Sequence, residues 1–241
     1  MSCLTFASIR AIILKKERGR GVSVIWAAVL TTCRNGQFPD AALVDKTIDC
    51  LGELGLSAKA QSTLRAIRNL AARTQSVAAR LALARALAGE GGVYAFDHPL
   101  PLTWKEARPL SGFEYDAKGA PCLLGGRIAI SLAHCDRLAV AACAEGNVKI
   151  GVDAERIDRP LVRRDDIAKR FFSPSERTAW EGNGGQMIDF LRIWTRKEAL
   201  GKALGTGLQA DAEQLDTAAV SPDCFFEQEV ENVLISGCRL E

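Results

Sequence analysis

The chain has 241 residues, of which 48% are hydrophobic and 25% are charged, and its formal net charge is +2. These values are typical of a globular protein and exclude a low-complexity or disordered chain. No apolar run approaches the roughly 20 residues of a membrane span, so we expect no membrane partner. Residues 203–241 hold eight acids and one base, which leaves the first 202 residues basic and favours an anionic partner.

The eight cysteines are scattered, form no CxxC pair and, with His98 and His134, make no zinc-ligand spacing. Most have apolar neighbours, so we expect reduced thiols in a cytoplasmic protein. Residues 1–20 place their charges after a short apolar run, which is the reverse of a secretory signal. We therefore expect an N-terminal extension at 1–20, followed by the body of the protein.

Residue patterns predict a mixed α+β protein. The expected elements of the first part are a buried strand at 21–30, helices at 41–56, 58–72 and 74–89, a loop-rich stretch at 97–122, and apolar strands at 127–134 and 138–146 that could also continue as helix. Those of the second part are a strand at 148–156, a short helix at 165–172, a helix opening at 173, a long helix at 187–204, and strands over 213–236.

The segment IGVDAER contains two carboxylates that strand alternation places on one face. Asp153 and Glu155 point away from the core side chains Val152 and Ala154. Two adjacent carboxylates repel unless a cation lies between them, and oxygen ligands of this kind suit Mg²⁺. The alternative is a solvated strand end on which Arg156 neutralises Glu155.

The segment IWTRKEALGKALGTGL places Lys197, Glu198 and Lys202 within a helical sector of about 140°. This face could bind an anion and a metal ion together. The alternative is an exposed Glu198–Lys202 pair at i, i+4, which is common on helix surfaces.

Two further polar residues have both a structural and a functional interpretation. His134 ends the apolar run SLAH, where it is either a structural histidine or a donor to a phosphate oxygen. Glu176 follows Ser173 and Pro174 in the pattern of a helix N-terminal capping box, which favours a structural role for this carboxylate.

Taken in order, the segments GAPCL, SLAH, GVDAE, FFSPSE and WTRKEALGKALGTGL resemble the motifs of the 4'-phosphopantetheinyl transferases, in particular the larger monomeric type often called Sfp-type. The likeness covers roughly residues 117–208 and is weak before residue 115. It implies two similar α+β halves related by a pseudo-twofold axis, with coenzyme A between them. The expected parts are the extension 1–20, an N-terminal half 21–147 and a C-terminal half 148–241 that carries the metal-binding motifs.

The resemblance implies transfer of the 4'-phosphopantetheine group of coenzyme A to a serine of an apo acyl or peptidyl carrier protein. The reaction would depend on Mg²⁺ and release adenosine 3',5'-bisphosphate. The expected protein is a cytoplasmic monomer with coenzyme A and an acidic carrier protein as partners and no nucleic acid.

The resemblance also implies roles for single residues. Asp153, Glu155 and Glu198 would bind Mg²⁺, and Glu198 and Lys202 would be catalytic. Coenzyme A would be bound by Lys118, His134, Lys197 and Lys202. Glycines 151 and 201 would give the diphosphate room.

Two positions depart from the family pattern: Ala133 stands where a serine is common, and Ala120 stands where Lys or Arg is common. Lys118 could compensate for Ala120. These departures keep open an inactive relative that only binds coenzyme A or a carrier protein. A metal-dependent nuclease is another alternative, although the lysine that precedes the helical carboxylate and the absence of interleaved aromatic and basic residues disfavour it.

Overall fold

The computed structural model of this protein describes residues 17–19, 22–101, 103–208 and 212–241. Most of the expected extension at 1–20 lies outside these residues. Its strand β1 (Glu17–Gly19) is described and pairs antiparallel with β2 (Val22–Leu30). None of the described helices is long and apolar enough to cross a membrane.

The first part of the chain forms a five-stranded sheet covered by helices. After β2 come α1 (Ala41–Glu53), α2 (Ala58–Ala66) and α3 (Leu70–Leu87). The short elements β3 (Gly92–Tyr94), α4 (Trp104–Ala107), β4 (Phe113–Tyr115) and β5 (Pro121–Leu123) follow, and the hairpin β6 (Ile128–Cys135) and β7 (Leu138–Glu145) completes this part. The sheet order is β1-β2-β7-β6, with β3 beside β2.

The second part repeats the order of the main elements. Strand β8 (Lys149–Arg156) precedes α5 (Arg164–Phe171), α6 (Pro174–Gly182) and α7 (Met187–Leu204). Three short 3₁₀ turns then lead to the hairpin β9 (Phe225–Val230) and β10 (Val233–Leu240). In both parts a strand, three helices and a hairpin give a sheet with the last strand in the middle, β2-β7-β6 and β8-β10-β9.

The two sheets share an apolar core, and this core explains the composition of β7. Leu138 and Val140 face the second sheet, whereas Ala139 and Ala141 face the helices of the first part. Because both faces of β7 are buried, its sequence is continuously apolar, as expected of an interior strand. The strand interpretation of 138–146 is therefore confirmed, and the helical continuation is not seen.

Several expected elements have different bounds: the helices expected at 41–56 and 74–89 are Ala41–Glu53 and Leu70–Leu87. The helix expected at 58–72 ends at Ala66, and α3 begins at Leu70 because the side chain of Asn69 accepts a hydrogen bond from the backbone N–H of Ala72. The first part of the expected strand region, up to Cys224, forms 3₁₀ turns instead. The long helix expected at 187–204 has those bounds in the structure.

Candidate active site

The candidate site lies where β8 packs against α7. Ile150, Val152 and Ala154 enter the core between the two sheets, so the alternate residues of β8 face α7. A Cβ atom added at Gly151 would lie 1.9 Å from the carbonyl oxygen of Ala199, which shows that the helix backbone directly contacts the strand there. The next two side chains on this face are Asp153 and Glu155, and they therefore point at the same helix.

The close contact at Gly151 corrects one expectation. Gly151 lies against the α7 backbone, and Gly201 faces the backbone of Gly207 in the turn that follows α7. The missing side chains allow helix, strand and turn to pack together. In this structure neither glycine provides room for a diphosphate.

Lys202 connects α7 with the acidic strand. Its ammonium group donates to Asp153 Oδ1 at 2.7 Å and to the carbonyl oxygen of Val152 at 3.0 Å. The side chain of Lys202 is 31% exposed and that of Asp153 is 12% exposed. The pair of Lys202 and Asp153 is thus partly desolvated. The alternative expectation, an exposed pair of Lys202 with Glu198, differs from these contacts, because the partner of Lys202 is Asp153.

The three carboxylates expected to bind metal influence one another. Burial and the charge of Asp153 raise the pKa of Glu155, while Arg159 and a hydrogen bond from Trp194 oppose this shift. Burial and the charge of Asp153 also raise the pKa of Glu198, opposed by the ammonium of Lys202. Negative charge is therefore concentrated at this point on the α7–β8 contact.

Arg159, and not Arg156, neutralises Glu155 in this structure. The guanidinium of Arg159 lies 3.3 Å from Glu155 Oε2, whereas Arg156 pairs with Asp136 and Asp158. The expected alternative of a strand end neutralised by Arg156 is therefore wrong.

The donor set has the chemistry that Mg²⁺ requires. Asp153, Glu155 and Glu198 supply carboxylate oxygens, and Mg²⁺ commonly binds one or two carboxylates together with water and phosphate oxygens. Among the described residues, no three Asp, Glu, His or Cys side chains converge closely enough to hold a metal ion as they stand. The ammonium of Lys202 pairs with Asp153, and the guanidinium of Arg159 pairs with Glu155. The three carboxylates therefore fit Mg²⁺ by the type of ligand that they supply.

The expectation that Lys197 faces a phosphate conflicts with the structure. Its side chain is 0% exposed, and its ammonium lies 2.7 Å from Glu176 Oε2 and also donates to the carbonyl of Leu215. Lys197 precedes Glu198 by one residue, a rotation of about 100°, which turns it toward α6 and away from β8. A fully buried ammonium cannot reach a ligand in an open cleft.

Glu176 has the structural role expected of it. Its carboxylate accepts the backbone N–H of Ser173 in a capping box at the start of α6. The other oxygen accepts both the backbone N–H and the hydroxyl of Thr217. Together with Lys197, this carboxylate joins α6, α7 and the segment before β9.

An open cleft of about 850 Å³ adjoins Lys202. Its walls are the turn between β4 and β5, strand β6, the start of β8 and the end of α7, and its cations are Lys118, Lys149 and Lys202. Lys149 was missed at the sequence level, although strand alternation places it on the same face as Asp153. The cleft wall thus carries three lysines.

The two departures from the family pattern occupy different environments. Ala120 lines the cleft beside Lys118. Ala133 is buried in the core between the sheets, so its side chain makes no cleft wall. Ser131, two residues earlier, accepts the backbone N–H of Val152 and links β6 to β8.

His134 lies in a cationic environment that includes one residue sequence reasoning missed. Burial lowers the pKa of its imidazole, and the nearby charges of Arg80 and Lys202 lower it further. Arg80 itself is held by the hydroxyl of Tyr115 and the carbonyl of Ser76. A neutral imidazole can donate one hydrogen bond to an anion.

Residues 149–233 match the family model described as the 4'-phosphopantetheinyl transferase superfamily. This segment contains the acidic strand, α7 and most of the second sheet, so the resemblance inferred from the motifs is confirmed over these residues.

Individual relatives agree with the family match. A 4'-phosphopantetheinyl transferase, HetI, of Nostoc sp. is 36% identical over 113 residues, which is 44% of this chain and 46% of the relative. The gsp transferase of Aneurinibacillus migulanus is 33% identical over 84 residues (34% of this chain, 33% of the relative), and a Bacillus subtilis transferase is 36% identical over 80 residues (32% and 34%). The matched segments thus span between a third and about half of these curated relatives.

Proposed function

We propose that this protein transfers 4'-phosphopantetheine from coenzyme A to a serine of an apo acyl or peptidyl carrier protein, in a Mg²⁺-dependent reaction. The observation that carries the proposal is the placement of Asp153 and Glu155 on β8 opposite Glu198 and Lys202 on α7, with Lys202 bonded to Asp153 beside a basic cleft. The family match and the names of the relatives support the same chemistry.

In the proposed reaction the serine oxygen forms a bond to the phosphorus next to the pantetheine arm. The bond between this phosphorus and the bridging diphosphate oxygen breaks, and adenosine 3',5'-bisphosphate leaves with that oxygen. Phosphoryl transfer depends mainly on positioning and on neutralising the charge of the phosphate oxygens. The protein would supply both from the helix and strand that form the site.

Asp153, Glu155 and Glu198 would hold Mg²⁺, which when bound would neutralise diphosphate charge. Lys202 would donate to the leaving oxygen, and such a donor typically contributes about 10²–10³ in rate. Glu198 is the candidate to accept the serine proton. Burial and the charge of Asp153 raise its pKa in the metal-free protein, and the ammonium of Lys202 opposes this shift.

The basic cleft would bind coenzyme A. Lys118, Lys149 and Lys202 in its wall would provide cations for the phosphates, and His134 could donate one further hydrogen bond. We leave Lys197 out of this set because its ammonium is buried against Glu176. The site therefore uses one of the two lysines of the KEALGK segment.

We infer a pseudo-twofold relation between an N-terminal half, 21–147, and a C-terminal half, 148–241. Its support is the repeated order of strand, three helices and hairpin, and the corresponding order of three strands in each sheet, β2-β7-β6 and β8-β10-β9. Coenzyme A would lie between the halves, since the cleft is lined by β6 from one and by β8 and α7 from the other.

The carrier protein would bind through charge and a small apolar contact. Val162 is 94% exposed and is followed by Arg163 and Arg164, both with exposed side chains. This segment begins six residues after the end of the acidic strand, and an acidic carrier would compete there with Asp166 and Asp165, which pair with the two arginines. The seven described cysteines are free thiols, which supports our proposal that the protein works in the reducing cytoplasm. We also propose that it is a monomer.

Mass spectrometry of apo-carrier proteins incubated with coenzyme A and Mg²⁺ tests the function. A gain of one phosphopantetheine with the wild-type protein, and none with Asp153→Ala, is expected. Coenzyme A binding without transfer to any of a broad set of carriers would support the inactive relative, for which Ala120 in the cleft wall is the specific argument.

A further inference from the structure

Lys202 contacts the same carboxylate that is proposed to hold the metal ion. Its ammonium donates hydrogen bonds to Asp153 Oδ1 at 2.7 Å and to the Val152 carbonyl oxygen at 3.0 Å, so two of its three N–H donors bind to β8. The same side chain lines the basic cleft. Lys202 thus stands between the carboxylates and the proposed diphosphate position.

A metal ion and this ammonium compete for Asp153. Mg²⁺ binds carboxylate oxygens at about 2.0–2.1 Å, and a divalent ion there would repel an ammonium bound to the same oxygen. A lysine side chain has a flexible stem of four carbons and rotatable donors. It can leave Asp153 if another anion is within reach, and the cleft is where a diphosphate would supply one.

Resting on the proposed function, we propose that Lys202 couples metal binding to diphosphate binding. Without coenzyme A its ammonium neutralises Asp153 and weakens the affinity for a divalent cation. With coenzyme A it turns to a phosphate oxygen and frees Asp153 for the metal. Each ligand therefore strengthens binding of the other, and the coupling is reciprocal.

Removing the ammonium separates this role from a simple phosphate contact. Calorimetric titration with Mn²⁺, without coenzyme A, should show that Lys202→Met binds the ion about fivefold tighter than wild type, or more, within the usual range of such couplings. Lys202→Gln should behave alike and serves as the second variant if Lys202→Met is poorly folded. Lys149→Met is the matched control, since it removes one charge from the same cleft without contacting Asp153, and should remain within about twofold of wild type.

The second titration adds saturating coenzyme A. Coenzyme A should improve Mn²⁺ affinity more in wild type than in Lys202→Met, because only wild type has an ammonium to move. Lys202 variants that bind free Mn²⁺ no tighter than wild type would overturn the proposed coupling, even if wild type transfers phosphopantetheine. Tighter binding by the variants without any transfer by wild type would instead support the Lys202–metal competition and overturn the proposed function.

Discussion

Replacing Lys197 by methionine should lower the stability of the fold, because this side chain has a structural role and no role in ligand binding. The substitution keeps the length of the side chain but removes the charge facing Glu176 at 2.7 Å, in a pair whose side chains are 0% and 2% exposed. It also removes the donor to the Leu215 carbonyl. Breaking a buried pair from one side typically costs about 3–5 kcal/mol, because the remaining charge stays buried.

The contacts of Glu176 indicate the lower part of that range. Its carboxylate keeps three hydrogen bonds, from the Ser173 N–H and from the N–H and hydroxyl of Thr217. We therefore expect Lys197→Met to lower the free energy of unfolding by about 3 kcal/mol. For a chain of this size that corresponds to a fall in Tm of about 6–12 °C.

Urea unfolding of a double-mutant cycle measures this effect. Glu176→Gln/Lys197→Met should be more stable than the sum of the single changes predicts, since neither charge is then buried alone. Lys149→Met, an exposed lysine beside the cleft, is the control and should change stability by less than about 0.5 kcal/mol. Normal stability of Lys197→Met together with a large loss of coenzyme A affinity would refute the reasoning and return Lys197 to the phosphate site.

Three other changes test the site and the N-terminus. Gly151→Ala should lower stability by about 2 kcal/mol or more and reduce metal affinity, because the added carbon collides with the Ala199 carbonyl; normal thermal unfolding would contradict this packing. Asp153→Ala should abolish transfer with little change in Tm, since the relieved repulsion with Glu155 and Glu198 offsets the lost ion pair with Lys202; an unfolded variant would make Asp153 structural. Deleting residues 1–16, while keeping the strand Glu17–Gly19 that pairs with β2, should leave Tm nearly unchanged, and a large fall would show that the deleted residues support the fold.

Glu198→Gln tests the proposed catalysis in the same series. It should reduce turnover more than coenzyme A affinity, because it keeps the shape but removes a charged oxygen ligand and candidate base. Extra Mg²⁺ should restore activity only partly. Wild-type kinetics for this variant would exclude Glu198 from the mechanism.

Local chemistry could be predicted from the sequence, and contacts between distant segments could not. The capping box of Ser173 and Glu176 depends on residues three apart, and it is present as expected. The bounds of α7 followed likewise from a run of helix-forming residues that ends at Gly205. The alternation of β8 correctly placed Val152 and Ala154 in the core.

The sequence analysis wrongly placed Lys197 among the coenzyme A ligands. Helical spacing shows that Lys197, Glu198 and Lys202 share one side of α7, but it does not show which of them is buried. The direction of Lys197 is set by Glu176, which lies on another helix 21 residues earlier. The same limit explains Gly201, whose close neighbour Gly207 lies in the turn after the helix. Small residues in a site motif are ambiguous, since a ligand and a neighbouring backbone both require the absence of a side chain.

The core shared by the two sheets bears on how the chain could have arisen and how it can be divided. Trp26 and Val140 from the first sheet and Val152 and Ile235 from the second belong to one buried cluster, and a Cβ atom added at Gly237 would meet the ring of Trp26 at 2.3 Å. A chain cut between β7 and β8 would expose this cluster on both fragments. The fragments should therefore associate and regain structure only when mixed, and an ancestral single unit of this shape would have required a second copy to cover the same surface.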